Sequence, residues 1–116
     1  MAIVLTKPLV SNTGGYESVS GGTVISGNTE LVDSSIVKTV KWIIEIIDQT
    51  NSKISSYEIL AINQFGTIVT FNKYGIVGDK IKHKPEAISN GVNIDLMITN
   101  NELINIDYKI TKLEVR

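Results

Sequence analysis

The sequence predicts an all-β fold, a small antiparallel β-sandwich of jelly-roll-like type behind an extended Gly/Ser-rich N-terminal arm. Three observations carry that expectation. Runs rich in Val and Ile recur at short intervals and are cut by Asn, Asp and Gly, the rhythm of strands and turns in a sandwich or barrel. Positions 92–99 alternate strictly, with Val92, Ile94, Leu96 and Ile98 on one side and Asn93, Asp95, Met97 and Thr99 on the other, the period of a half-buried strand. Residues 1–35 have a different composition, in which Gly14, Gly15, Gly21, Gly22 and Gly27 sit among Ser and Thr with few charges. At 116 residues the chain has room for one domain, since domains usually span roughly 100 to 150 residues. The expected division is therefore an arm over 1–35 and a sandwich over 36–116.

The arm holds Ile3, Val4, Leu5, Leu9, Val10, Val24, Ile25, Leu31 and Val32, too many apolar residues for a pure linker. Parts of it are expected to form short strands against the chain's own core, a neighbouring copy or another protein. Ile3, Val4, Leu5, Leu9 and Val10 form the patch expected to bind a partner. Glycine pairs such as Gly21-Gly22 mark a turn or a close backbone contact.

Positions 36–48 fit two periods. Ile36, Val40, Ile43, Ile44 and Ile47 fall at helical spacing, but Trp42 and Ile46 lie outside that stripe. Val and Ile dominate, and Val40, Trp42, Ile44 and Ile46 alternate with more polar neighbours, so a strand is expected. A polar turn at 48–53 leads to a second strand with Tyr57, Ile59 and Ala61 on one face and Glu58, Leu60 and Ile62 on the other. Positions 67–73 make a third strand, and 74–79 a separate short apolar piece in which Gly75 and Gly78 allow a kink or bulge. Pro85 and Asn90-Gly91 mark a long connection and a turn. After the strand at 92–99 and a turn at Asn100-Asn101, the last strand places Ile104, Ile106, Tyr108 and Ile110 on one face. The apolar phase then moves to Leu113 and Val115, which suggests a β-bulge or a change of sheet near Thr111.

Composition narrows function. Without cysteine there is no disulfide, thiolate metal site or cysteine nucleophile. With 11 Lys and Arg against 12 Asp and Glu, the chain lacks the basic footprint of a nucleic-acid binder. Lys38 with Lys41, and Lys80, Lys82 and Lys84, read as solvated. No stretch approaches the roughly 20 apolar residues of a membrane helix, and the first residues lack the basic and hydrophobic regions of a secretory signal. No membrane partner and no cofactor are expected.

Catalytic signatures are also missing. His83, between two lysines, has no companion ligands and reads as an exposed loop residue. The acidic residues form no short motif, and neither a Gly-x-Ser-x-Gly elbow nor a phosphate loop is present. Trp42, Tyr57, Phe65, Phe71, Tyr74 and Tyr108 read as core filling between sheets, with a sugar-binding platform as the competing reading.

The order of pieces, Lys41-Trp42 in an alternating strand, the turn Asp48-Gln49-Thr50-Asn51, the run Tyr57-Glu58-Ile59-Leu60-Ala61-Ile62, then Tyr74-Gly75-Ile76-Val77-Gly78 and the strand ending Ile98-Thr99-Asn100-Asn101, resembles a β-sandwich module of tailed-bacteriophage virion proteins. Such modules occur in head decoration proteins, head fibres and tail fibres. The resemblance implies a non-enzymatic structural protein, made in the host cytoplasm, carried on the exterior of the virion, self-associating as a homo-oligomer (often a trimer) and held to other virion proteins such as the major capsid protein by its N-terminal region. The short length favours decoration or a head-fibre base over a tail, collar or tail-fibre protein. The alternative from another class is a carbohydrate-binding module using Trp42 and the tyrosines. The position of Trp42, between the sheets or beside a polar groove, separates the two.

Overall fold

The computed structural model describes residues 16–65 and 68–115. They form eight antiparallel strands: β1 (Tyr16–Val24), β2 (Thr29–Ser35), β3 (Thr39–Asp48), β4 (Lys53–Gln64), β5 (Ile68–Gly78), β6 (His83–Ser89), β7 (Ile94–Asn100) and β8 (Ile106–Val115). Two sheets result, one in the order β1-β8-β3-β4-β5 and one in the order β2-β7-β6. The nested pairing of β1 with β8 and of β2 with β7 closes the chain on itself. The strands divide five and three between the sheets.

The core lies between the sheets, built by the alternation the sequence displays. Val40, Trp42, Ile44 and Ile46 of β3 and Tyr57, Ile59 and Ala61 of β4 face inward and meet Ile94, Leu96 and Ile98 of β7. Each β-branched side chain packs against its cross-strand partner and against the opposite sheet. At the β3–β4 hairpin, Asp48 accepts from the backbone and side-chain nitrogens of Asn51 at 3.0 and 2.8 Å. The Asn51 side-chain bond, above all, holds that carboxyl below its ordinary value.

Several expectations are revised. Within the expected arm, residues 16–35 form β1 and β2, paired with β8 and β7 of the same chain, and Val24 and Val32 join the core. The body of the sandwich therefore starts upstream of residue 36. Its stabilising partners, the β7 and β8 ladders, lie 59 (Ser35 to Ile94) to 97 (Tyr16 to Leu113) residues away, where composition does not register them. Val92 is 67% exposed and precedes the strand. Asn90 Oδ1 accepts from the backbone nitrogens of both Val92 and Asn93, and this side-chain turn takes the donors a longer strand would need. The connection around Pro85 is strand β6; it pairs only with β7, so an edge position tolerates the missing donor of proline.

Positions 74–79 are not a separate piece. They continue β5 through a bulge, where the β4–β5 register shifts between Ser56 and Glu58 and Gly75 takes φ +66°. Neither the bulge nor the change of sheet expected near Thr111 occurs: β8 stays in the large sheet and keeps one unbroken register with β3 from Asp107 to Val115. The irregularity lies in its neighbour β1, between Val19 and Gly22. There Gly21 and Gly22 approach β8 so closely that a Cβ on Gly21 would run into the Tyr108 carbonyl oxygen, and one on Gly22 would sit 2.7 Å from the Tyr108 hydroxyl.

Candidate functional site

Three places gather chemistry-bearing side chains. The first follows from the unbroken register of β8, in which the inward phase of Ile106 and Ile110 continues to Lys112 and Glu114. Glu114 is 5% exposed and accepts from Ser35 Oγ at 2.6 Å. Lys112 Nζ lies 3.3 Å from Asp33 Oδ2, 3.6 Å from Glu114 Oε2 and 3.3 Å from the Ser34 carbonyl oxygen. Trp42 Nε1 donates to Asp33 Oδ2 at 2.8 Å, and the Ser34 hydroxyl continues the network to Asp95 at 2.7 Å. One ammonium and two carboxylates are thus held out of water by mutual pairing and hydrogen bonds, which is how interiors accommodate charge. The cluster links β2 of the small sheet to β3 and β8 of the large one. Sequence reading missed it, although polar residues in phase with Ile106 and Ile110 were its signal.

The second place corrects the reading of His83. It stands in β6, half-buried, with its ring stacked on Tyr57 at a centroid distance of 5.5 Å. Its Nδ1 lies 2.7 Å from the Ile81 carbonyl oxygen and its Nε2 lies 2.8 Å from the Tyr57 hydroxyl. A carbonyl only accepts, so Nδ1 carries the proton and Nε2 takes the hydrogen of the tyrosine. Burial pushes the imidazole below its ordinary value of 6.5; the Lys73 charge adds to that, while the Ile81 carbonyl and Glu102 oppose it. Burial likewise raises the Tyr57 phenol, and Lys73 Nζ lies 4.6 Å over its ring. The pair ties β6 to β4.

The third place is the outer face of the five-stranded sheet. Across β8, β3 and β4 the outward side chains form rows: Val115, Thr39 and Ile62; Leu113, Lys41 and Leu60; Thr111, Ile43 and Glu58; Lys109, Glu45 and Ser56; Asp107, Ile47 and Ile54. Lys41 Nζ and Glu58 Oε1 pair at 3.0 Å. Toward the Asp107 end the face sinks into an open groove of about 740 Å³, floored by Ile43 and Ile47 and bordered by Glu45, Gln49, Asp107 and Lys109. Thr23 Oγ1 and Gln49 Nε2 both donate to Asp107.

Trp42 is 0% exposed and Tyr57 1%, so neither borders the groove or offers a ring to a sugar. Among the described residues, no group of three or more His, Cys, Asp or Glu could hold a metal ion, and no helix is long and apolar enough to cross a membrane. The expected partner-binding residues Ile3, Val4, Leu5, Leu9 and Val10 lie outside the described residues.

No protein-family model matches the chain, and no curated protein matches it. Among solved structures, it is similar to the tailspike protein of Acinetobacter phage vB_ApiP_P1, with a TM-score of 0.53 and 14% identity over 93% of this chain. The match spans 23% of that tailspike. At this identity the likeness shows a shared fold and nothing beyond it.

Proposed function

We propose that this chain is a non-enzymatic structural protein of the tailed-bacteriophage virion, exposed on the particle as a capsid decoration or head-fibre component that associates with copies of itself. The observation that carries the reading is the likeness of nearly the whole sandwich to a segment of a phage tailspike, together with the resemblance of the 40–116 strand order. Burial of Trp42 weighs against the carbohydrate-binding alternative. A tail, collar or tail-fibre location is the second reading, and it is favoured by the neighbour being a tailspike.

In this reading Ile3, Val4, Leu5, Leu9 and Val10 anchor the protein to the particle, through the major capsid protein in the decoration case. Fully burying an aliphatic side chain contributes roughly 1.5 to 3 kcal/mol before ordering costs are subtracted, so five of them contribute several kcal/mol toward attachment. The test deletes residues 1–12 and follows both melting and incorporation into particles, with gold-labelled antibody distinguishing head from tail. A truncated protein that melts cooperatively and fails to incorporate supports the reading. Normal incorporation of the truncated protein overturns the anchor, and absence of the full chain from purified particles overturns the virion assignment.

A further inference from the structure

The cluster of Asp33, Lys112 and Glu114 holds a chemistry that ion pairing does not use. An amine, a carboxyl and a second carboxylate, kept together away from water, are the components of an amide bond between side chains. Lys112 Nζ lies 3.3 Å from Asp33 Oδ2 and 3.6 Å from Glu114 Oε2, and the Lys112, Asp33 and Glu114 side chains are only 12%, 12% and 6% exposed. We infer that Lys112 and Asp33 are the two ends of an isopeptide crosslink that the protein forms on itself, with Glu114 as proton acceptor, joining β8 of the large sheet to β2 of the small one. The structure holds the pair unlinked, in the state that precedes the bond. The inference rests on this cluster alone and is independent of the virion reading.

In water an ammonium and a carboxylate do not condense, because hydration holds both in their charged, unreactive forms. Away from water charge is the costly form, and passing a proton from the nitrogen to a carboxylate neutralises both groups. Glu114 is placed to receive that proton: it lies beside Nζ, and Ser35 Oγ donates to it at 2.6 Å and fixes its position. The Ser34 carbonyl oxygen, 3.3 Å from Nζ, accepts one of the remaining hydrogens and orients the amine. The freed lone pair attacks Asp33 Cγ. Trp42 Nε1 donates to Asp33 Oδ2 at 2.8 Å, so the charge that builds on that oxygen during attack meets a fixed N–H donor. The other carboxyl oxygen leaves as water. An Nζ–Cγ bond forms, a Cγ–O bond breaks, and both hydrogens of the water come from the ammonium, the first by way of Glu114, which ends as the carboxylate it began. The step is a condensation and needs no oxidant.

Proximity alone does not select this pair. Lys41 Nζ and Glu58 Oε1 are closer, at 3.0 Å, but their side chains are 26% and 31% exposed on the outer face of the sheet, where hydration keeps both charged. Lys112 and Asp33 also stand where a crosslink constrains the chain most. They are far apart in sequence and in different sheets, so the bond closes a long loop of the unfolded chain. A chain without cysteine would obtain from it a covalent link between layers that a reducing compartment does not break.

The test is tryptic peptide mapping by mass spectrometry of the folded full-length chain after prolonged incubation at neutral pH. The expected product is lighter than the sequence by one water, is no longer cut after Lys112, and keeps the fragments carrying Asp33 and Lys112 joined. Under denaturing electrophoresis it should run ahead of Lys112→Arg, because the link keeps the unfolded chain compact. Lys112→Arg retains the positive charge but does not form the amide, and should keep its own sequence mass, with a melting curve checking that it folds. Glu114→Gln keeps a hydrogen-bonding side chain that takes no proton from Nζ, and should slow linkage at least tenfold. The fragments carrying Lys41 and Glu58 should separate in every sample. Three results overturn the inference. The first is a cooperatively melting wild-type chain that retains its full sequence mass. The second is a loss of water confined to the Asp33-Ser34 fragment, which is a cyclic imide at that peptide bond and not a crosslink. The third is linkage at the full rate in Glu114→Gln, which removes the proton acceptor from the mechanism.

Discussion

The indole nitrogen of Trp42 donates to Asp33 Oδ2 at 2.8 Å while the same oxygen lies 3.3 Å from Lys112 Nζ. One carboxylate on β2 thereby ties together β3 and β8 of the opposite sheet. In a chain without disulfides, this polar clasp is a specific link between layers that are otherwise joined by non-directional apolar contact.

Lys112→Met is expected to cost about 3 to 5 kcal/mol, because it leaves Asp33 and Glu114 inside the protein without a cation. Adding Asp33→Asn should recover part of the loss, since it removes one of the stranded charges and keeps an acceptor for Trp42. Urea unfolding followed by the fluorescence of the single tryptophan checks both, and additive losses would show that the groups do not form one network.

Leu96→Ala should cost about 2 to 5 kcal/mol, the range for truncating a buried leucine, because Leu96 is fully enclosed between the sheets. Val92→Ala, four residues earlier in the same alternating run, should change the urea midpoint very little, since Val92 is 67% exposed. Equal effects would contradict the turn that Asn90 builds.

His83 makes stability depend on pH with a definite sign. Its folded-state value lies below the ordinary 6.5, so the unfolded chain binds the proton more readily. The contribution is complete above about pH 6.5 and is lost as the pH falls from there toward the folded value. Between about pH 7.5 and about pH 5 the unfolding midpoint should drop, and His83→Gln should flatten that part of the profile. An unchanged slope would mean that His83 is not the titrating group.

Gly21→Ala is expected to destabilise by about 1 to 3 kcal/mol, because the added methyl would collide with the backbone of Tyr108 and push β1 off the edge of its sheet. Hydrogen exchange should report the loss first in the β1–β8 ladder, leaving β6–β7 protected.

What the sequence determined by itself is the inward face of β3, β4 and β7, which rests on local period. The inward sets Val40, Trp42, Ile44 and Ile46, then Tyr57, Ile59 and Ala61, then Ile94, Leu96 and Ile98, are legible because successive side chains of a strand point to opposite faces wherever the strand ends up. Tertiary structure decided the rest, because it depends on partners far away in the chain. Residues 16–35 read as an arm until β7 and β8 take them into the sheets. Lys112 and Glu114 break the apolar pattern of β8, and only Asp33, Ser35 and Trp42, some seventy to eighty residues distant, make their burial tolerable. His83 read as solvated because its neighbours in sequence are lysines; its neighbours in space are Tyr57 and the Ile81 carbonyl. The outer face of the large sheet arises the same way: Leu60 and Leu113 become a patch only when β3 brings β4 and β8 to its two sides.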